Sequence, residues 1–325
     1  MKVMFWNAPE GNFGDDMNRW IWDLLLPGHK MWTDEVSLIG VGSLLGSSFV
    51  HPLGRKLVVG TGSGYGKPPD VSSKEWDIRA VRGPRTAERL GLPRAIGVCD
   101  PAAMLARQAE FAGIERGNDV LFVPHWQSAV HPSFDWAAIC ARAGVAFQSP
   151  CADSVSVVRR IAGARVVIAE SLHAAIVADA FRVPWHSVRT TAGSFNVFKW
   201  SDWTEGLQLP LIVHDLMAPI DIPTQPLGSL RRLLLGRNPC NPRNRHHPPH
   251  CMSDGSPPPW SRAKLALWAR VLASTMRRTA KLPPQLSRHG ILDNQLDRYE
   301  EVLAGVLRDY GGSICSPTDG NPFSR

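Results

Sequence analysis

Glu170-Ser171-Leu172-His173 places an acid, a hydroxyl and an imidazole in four consecutive positions. The tetrad follows Val166 to Ala169, a bounded apolar run rich in β-branched residues that reads as a buried strand. An Ala-rich pattern comes next, with Ile176, Val177 and Ala180 on one helical face. The tetrad therefore sits at a strand's carboxyl end and a helix's amino end. Unsatisfied N–H groups and the positive helix terminus favour an anion there. Ligands of open α/β sheets bind outside the carboxyl ends of the strands. Phosphate handling by Ser171 and proton transfer by His173 are the chemistry this position permits. A Ser N-cap beside a half-buried histidine fits the same residues.

Val81-Arg82-Gly83-Pro84-Arg85-Thr86 is a second strand end running into a helix start. Cations are unfavourable in a first helical turn unless an anion sits with them. Guanidinium forks suit carboxylate and phosphate, so Arg82, and less so Arg85, are ligand candidates against a surface ion pair. His125 follows Val120 to Pro124 at a third strand end, where acid/base work and a satisfied loop histidine both fit. Two other patterns do not hold. Gly60-Thr-Gly62-Ser-Gly64-Tyr-Gly66 lacks the last glycine of a dinucleotide fingerprint in either register. Lys67-Pro68-Pro69 forbids the helix that should follow. Cys240, His246, His247, His250 and Cys251 match no zinc spacing, and no metal site is expected.

The elements that must position these residues alternate strand and helix, which predicts an α/β fold with a largely parallel sheet. Strands are expected at Lys2–Trp6, Val36–Val41, Lys56–Val59, Asp77–Val81 and Ile96–Cys99. A polar joint at 106–118 precedes a second set at Val120–Val123, Val145–Gln148, Val166–Ala169 and near Trp185–Val188. Helices are expected from Met17 to Leu25, from Pro84 to about Leu90, at Ala137–Ala143, at Ser154–Ile161 and after His173. The expected division is an α/β lobe at 1–105, a second at 119–215, a Pro/His-rich linker without order at 219–259, and helices at 260–311 packing on the lobes. Those helices carry apolar stripes, Trp260 to Met276 and Leu292 to Tyr310.

The net charge of +7 is uneven. Residues 228–290 hold 12 Lys/Arg and one acid, Asp254, so the basic character belongs to one late segment. Contact with an anionic membrane surface is one use of that charge. Nucleic-acid binding is not expected, since no reading module accompanies it. No stretch reaches the roughly 18 apolar residues of a membrane span, and the first residues lack a signal-peptide pattern. The expected location is cytoplasmic, peripherally at the inner membrane face. Six cysteines form no disulfide framework, and Cys99, Cys140 and Cys151 read as buried thiols.

With these residues in place, the chain resembles the polysaccharide pyruvyl transferase family. The matching pieces are Gly11-Asn12-Phe13-Gly14-Asp15-Asp16, Ile39 to Ser43, Gly60-Thr-Gly62 and Val81 to Thr86. Gly97 to Pro101, Pro124-His125, Glu170 to Ile176 and Phe198-Lys199-Trp200 follow, so the pieces run in order over about residues 3–205. The resemblance implies two Rossmann-like lobes facing a cleft, as in GT-B glycosyltransferases, with phosphoenolpyruvate as donor and no cofactor. It implies a lipid-linked oligosaccharide acceptor, whose hexose receives a cyclic pyruvate ketal as phosphate leaves. His173 is the expected proton-transfer residue. Ser171 and the helix start would hold phosphate, and Arg82 carboxylate or phosphate. Asp15, Asp100, His125 and Glu170 are candidates for the base or for sugar hydroxyls, Lys199 for an anion contact, and Asn12 and Gly14 for substrate binding. The Arg82 turn and the Gly11–Asp16 loop are expected to face the Ser171–His173 turn across the cleft. A nucleotide-sugar glycosyltransferase of the same fold, and a scaffold without activity, are the competing readings.

Overall fold

The computed structural model describes residues 1–133, 135–191, 193–216 and 259–311. Two parallel sheets carry the chain. The first contains β1 (Lys2–Met4), β2 (Val36–Ile39), β3 (Arg55–Val59) and β4 (Trp76–Ala80), in that spatial order. The second contains β5 (Val120–Val123), β6 (Ala146–Phe147), β7 (Val166–Ala169), β8 (Trp185–Arg189) and β9 (Val213–Asp215), arranged β6-β5-β7-β8-β9. Every residue of β5 and β7 is buried, as a parallel strand covered on both faces requires. The helices are α1 (Phe13–Asp16), α2 (Ile21–Leu25), α3 (Pro84–Arg89), α4 (Trp126–Ala129), α5 (Trp136–Ala143), α6 (Ser154–Ala162), α7 (Leu172–Ala180), α8 (Val197–Gly206), α9 (Pro259–Thr279) and α10 (His289–Tyr310). The architecture is α/β with a Rossmann-like arrangement of parallel strands and helices.

Several local expectations are corrected. The strand expected at Ile96–Cys99 shrinks to one parallel bridge, Val81 to Gly97. The Asp100 side chain accepts from the Ala102 amide at 3.0 Å, and Pro101 opens a 3-10 helix, Pro101–Arg107, that takes the chain out of the sheet. The helix expected from Met17 breaks at Trp20, whose φ is −139°, into a 3-10 turn, Met17–Arg19, and α2. No helix separates β2, β3 and β4. Their connections are loops that bond to one another, Gly62 N to Gly42 O at 2.9 Å and Leu45 N to Gly62 O at 3.1 Å. At Gly62 a Cβ would meet the Arg82 guanidinium at 2.2 Å, so that crossing admits no side chain. The short β9 was not among the expected strands. The Pro/His-rich segment with Cys240, His246, His247, His250 and Cys251 lies outside the described residues.

Helix α7 is buried from end to end except at His173. Its alanines let it pack closely on β7, on α6 and on the Pro101–Arg107 helix at once. α10 packs on the first sheet through Leu292, Leu296, Tyr299, Leu303 and Val306, each nearly sealed from solvent. Burial of such a side chain contributes roughly 1.5–3 kcal/mol. The Tyr299 hydroxyl donates to Val59 O at 2.7 Å, Arg79 pairs with Asp309 at 2.6 Å, and Arg107 pairs with Asp297 at 2.7 Å. α9 packs instead on α5, against the second sheet's cluster, through Leu272, Ala273 and Met276. No described helix is long and apolar enough to cross a membrane.

One core histidine has a stability consequence. His186 in β8 is buried with neither ring nitrogen partnered, and its ring meets His214 edge-on at 5.5 Å. Burial, then the nearby His214, pushes its pKa down to about 4. Below pH 6.5 the unfolded chain takes up a proton that the folded chain refuses, so stability is lost as pH falls from 6.5 towards 4. His186→Leu is expected to remove a loss on the order of 3 kcal/mol over that window. Urea denaturation at pH 7.5 and 4.5 measures the difference.

Candidate active site

The residues singled out in the sequence come from both sheets, and one cleft gathers most of them. The second sheet supplies His125 at the end of β5, and Ser171 and His173 at the start of α7. Lys199 enters from α8. The first sheet's loops supply Asn12 and Asp15, Gly42 and Ser43, Tyr65 and Arg82. The 7–16 loop follows β1 of the first sheet yet is tied to the second: Phe13 N donates to Pro150 O at 2.7 Å, and Ser154 Oγ donates to Phe13 O at 2.8 Å. Asn12, Asp15 and Arg82 line this cleft together with Ser171 and His173.

His173 lies between the two sets of loops. Its Nε2 stands 3.6 Å from Asp100 Oδ2, and both atoms are buried without a hydrogen-bond partner. Asp100 is fully buried, and its other oxygen caps the Pro101–Arg107 helix. The Asp100 carboxyl group thus stands behind the imidazole at ion-pair distance without a direct hydrogen bond. On its other edge the ring packs on Gly14, where a Cβ would fall 1.9 Å from Nδ1. Phe13 meets the ring edge-on at 6.5 Å. Gly14 thus acts as the space His173 occupies, and Asp100 as its backing; neither lines the cleft itself.

Asp15 accepts from Asn12 Nδ2 at 2.6 Å. Burial raises the Asp15 carboxyl above the usual carboxylate range, with the charges of His173 and Lys199 opposing that shift. His125 takes the opposite course. Burial, then the charges of Lys199 and His173, pushes it down to about 3, so it is neutral at any working pH. Its Nδ1 accepts from the Gln127 amide at 3.4 Å, which leaves Nε2 carrying the proton. Lys199 Nζ donates to the Tyr65 hydroxyl at 3.1 Å and sits 4.9 Å from that ring's centroid. Ser171 Oγ accepts from the Ala174 amide at 3.4 Å, so it caps α7 and lines the cleft together. The first-turn amides of α7 open beside it.

Arg82 lines the cleft but is heavily engaged. It is 2% exposed and donates to Asp202 Oδ2 at 3.3 Å, Gly42 O at 3.3 Å, Ser43 Oγ at 2.8 Å and Ser63 O at 3.0 Å. Asp202 also accepts from the Thr86 amide at 2.8 Å and the Thr86 hydroxyl at 2.6 Å. The guanidinium therefore welds three loops and α8 into the cleft wall.

Besides Gly14 and Asp100, which sit behind His173, two further candidates do not line the cleft. Arg85 points outward and pairs with Glu205 at 2.5 Å, and Glu205 also bonds Arg94. Glu170 is 1% exposed and turned into the second sheet. Its Oε2 accepts from the His125 amide at 2.9 Å. Its Oε1 accepts from the Thr190 amide at 3.1 Å, the Thr190 hydroxyl, and Ser194 Oγ at 2.5 Å. That carboxylate clips the ends of β5, β7 and β8 together and is sealed off from the cleft. Conversely, Trp6, Tyr65, Trp126 and Gln127 line the cleft without having been assigned a role from sequence. Single aromatics after strands carry no motif, so only the strand-end position of Trp6 and Trp126 hinted at them.

Residues 18–191 match the family described as Polysaccharide pyruvyl transferase. Arg82, Asp100, His125, Ser171 and His173 fall inside that interval, and Asn12, Gly14, Asp15 and Lys199 outside it. The succinoglycan biosynthesis protein ExoV of Rhizobium meliloti (strain 1021) is 37% identical over 321 residues, which cover 95% of this chain and 100% of that protein. No solved structure matches the chain. The chain belongs to the polysaccharide pyruvyl transferase family and is an enzyme of that kind.

Proposed function

We propose that the enzyme transfers pyruvate from phosphoenolpyruvate to two hydroxyls of one hexose in an exopolysaccharide repeat unit, closing a cyclic ketal and releasing phosphate. The observation carrying this reading is the cleft's composition. It joins a carboxylate-backed imidazole, His173 with Asp100, to an anion-favouring rim of Ser171, the α7 amides and Lys199. The two sheets then read as two Rossmann-like lobes of a GT-B-like enzyme with the reaction in the cleft between them. The relative's printed role in succinoglycan biosynthesis favours a polysaccharide precursor as acceptor, taken here as a lipid-linked oligosaccharide.

In this reading His173 delivers a proton to C3 of the enol, which leaves C2 cation-like. One sugar hydroxyl attacks C2 and loses its proton to Asp15. Phosphate departs towards Ser171 and Lys199, and the second hydroxyl of the same hexose closes the ring. Two hydroxyl protons are released; one proton is gained at C3, and the departing phosphate takes the balance. His125, neutral and donating from Nε2, suits a hydroxyl or carboxylate of the substrates. Arg82, with four of its five N–H donors engaged, shapes the wall and adds positive potential. The scheme needs no cofactor.

Phosphoenolpyruvate at 100 times its Kd is expected to stabilise the protein by about 2.7 kcal/mol, seen as a higher Tm, while UDP leaves Tm unchanged. Stabilisation by UDP and none by phosphoenolpyruvate would overturn the donor in favour of a nucleotide sugar. With a base of raised pKa, kcat/KM for phosphate release should climb with pH through the Asp15 titration. Asp15→Asn should lose that acidic limb and roughly 100-fold in rate. An unchanged profile in the variant would remove Asp15 from the chemistry.

A further inference from the structure

Beyond the cleft, the strongest unassigned feature is the outward face of α9. The inward face is accounted for: Leu272, Ala273 and Met276 are buried against α5 and the second sheet. The outward face holds Leu267, 60% exposed, and Val271, 41% exposed, with Leu282, 43% exposed, just past the helix end. Exposed Arg270, Arg278 and Lys281 lie among them. Residues 260–282 contain six Lys/Arg and no acid. No carboxylate among the described residues pairs with Arg270, Arg278 or Lys281. Arg277, by contrast, turns back to the Arg142 and Ala143 carbonyls and anchors the helix.

We propose that this face of α9 docks on an anionic membrane surface, with its leucines and valine entering the acyl boundary and its cations lying among the headgroups. Charge narrows the occupant. The neighbouring stretch 217–258 carries five arginines against two aspartates, so its net positive charge does not answer the cations of the face. A second copy in a two-fold contact would oppose cations with cations. Nucleic acid would answer the charge but not the exposed Leu267, Val271 and Leu282, since backbone contacts need no apolar side chains. Cations next to exposed large apolar side chains suit an anionic bilayer surface, because the long Lys and Arg side chains reach the headgroups while the apolar ones enter the acyl boundary. The inference stands apart from the proposed reaction, because it uses no residue of the cleft.

Flotation of the full-length protein with vesicles tests it. Binding is expected to phosphatidylcholine vesicles containing 30% phosphatidylglycerol, and not to phosphatidylcholine alone, with loss at 0.5 M NaCl. Each cation near such a surface is worth about fivefold in affinity, so the double variant Arg270→Gln/Lys281→Gln should bind about 30-fold more weakly. Leu267→Ser/Val271→Ser should also weaken flotation severalfold. All four positions are exposed, so the variants should keep the wild-type melting curve. Absence of flotation with the anionic vesicles overturns the proposal. So does flotation that the Leu267/Val271 variant leaves intact, or duplex DNA binding that outcompetes the vesicles.

Discussion

Alanine at position 14 will lower turnover by about 100-fold or more while leaving the protein folded. The new Cβ would lie 1.9 Å from His173 Nδ1, 2.5 Å from Cγ and 2.9 Å from Cβ, so the ring has to swing away and the two helix starts have to part slightly. It would leave Asp100, which waits 3.6 Å from Nε2 on the ring's other edge. A shift of about 1 Å in a reacting group is enough for a loss of that size. α1 itself tolerates the change, since alanine favours helix over glycine by about 1 kcal/mol. His173→Ala should lose more, roughly 10²–10⁴-fold, as expected for removal of a positioned acid/base group. Asp100→Asn should show an intermediate loss and an altered pH profile, because it keeps the shape behind the ring and removes the charge. Initial rates of phosphate release from phosphoenolpyruvate with acceptor present, together with thermal melts, separate these outcomes. Normal turnover in Gly14→Ala would mean that His173 does not act from the position seen here.

Asp202→Ala is expected to cost about 3–5 kcal/mol of folding stability, the range for stripping the partner from a buried charge. Asp202 is fully buried and is the carboxylate that answers Arg82. It is also the acceptor for the Thr86 amide at the start of α3. Its loss leaves a guanidinium sealed among the carbonyls of Gly42 and Ser63 and the Ser43 hydroxyl, with no counter-charge. Asp202→Asn should recover part of the loss, since the side-chain oxygen can still serve Thr86. Urea denaturation reads both. Because the Arg82 wall also faces the cleft, any folded Asp202→Ala protein should bind phosphoenolpyruvate more weakly. A loss below about 1 kcal/mol would mean that water reaches Arg82 when its partner is removed.

The site was legible in part, and the divisions follow from physics. His173, Ser171 and His125 were readable because strand-then-helix patterns put their neighbours at the ends of buried parallel strands. Arg82 was readable as a strand-end arginine, yet its partner was not. Asp202 lies 120 residues away and sits in α8, a helix whose turn of aromatic residues drew attention to Lys199 instead. Glu170 looked like a base because a carboxylate beside Ser-His invites that reading. One residue of strand alternation turns it into the sheet, where the amides of His125 and Thr190 claim it. Arg85 failed for a similar reason: a helix-start arginine finds a carboxylate in Glu205 from another segment.

The sequence by itself determined the parallel α/β class, most strand positions, the ends of β5 and β7 as points that open on the cleft, and the concentration of positive charge in one late segment. Those are local properties, set by side-chain periodicity and by the free N–H groups at helix starts. Only the tertiary structure decided that Asp100 backs His173. That contact arises because the alanines of α7 let the Pro101–Arg107 helix pack against it, which carries the end of the first sheet's chain to the second sheet's histidine. The position of Gly14 against the ring and the anchoring of its loop on Pro150 and Ser154 were decided the same way. Close approach between segments distant in the chain depends on the volumes of both partners, and no single stretch of sequence records it.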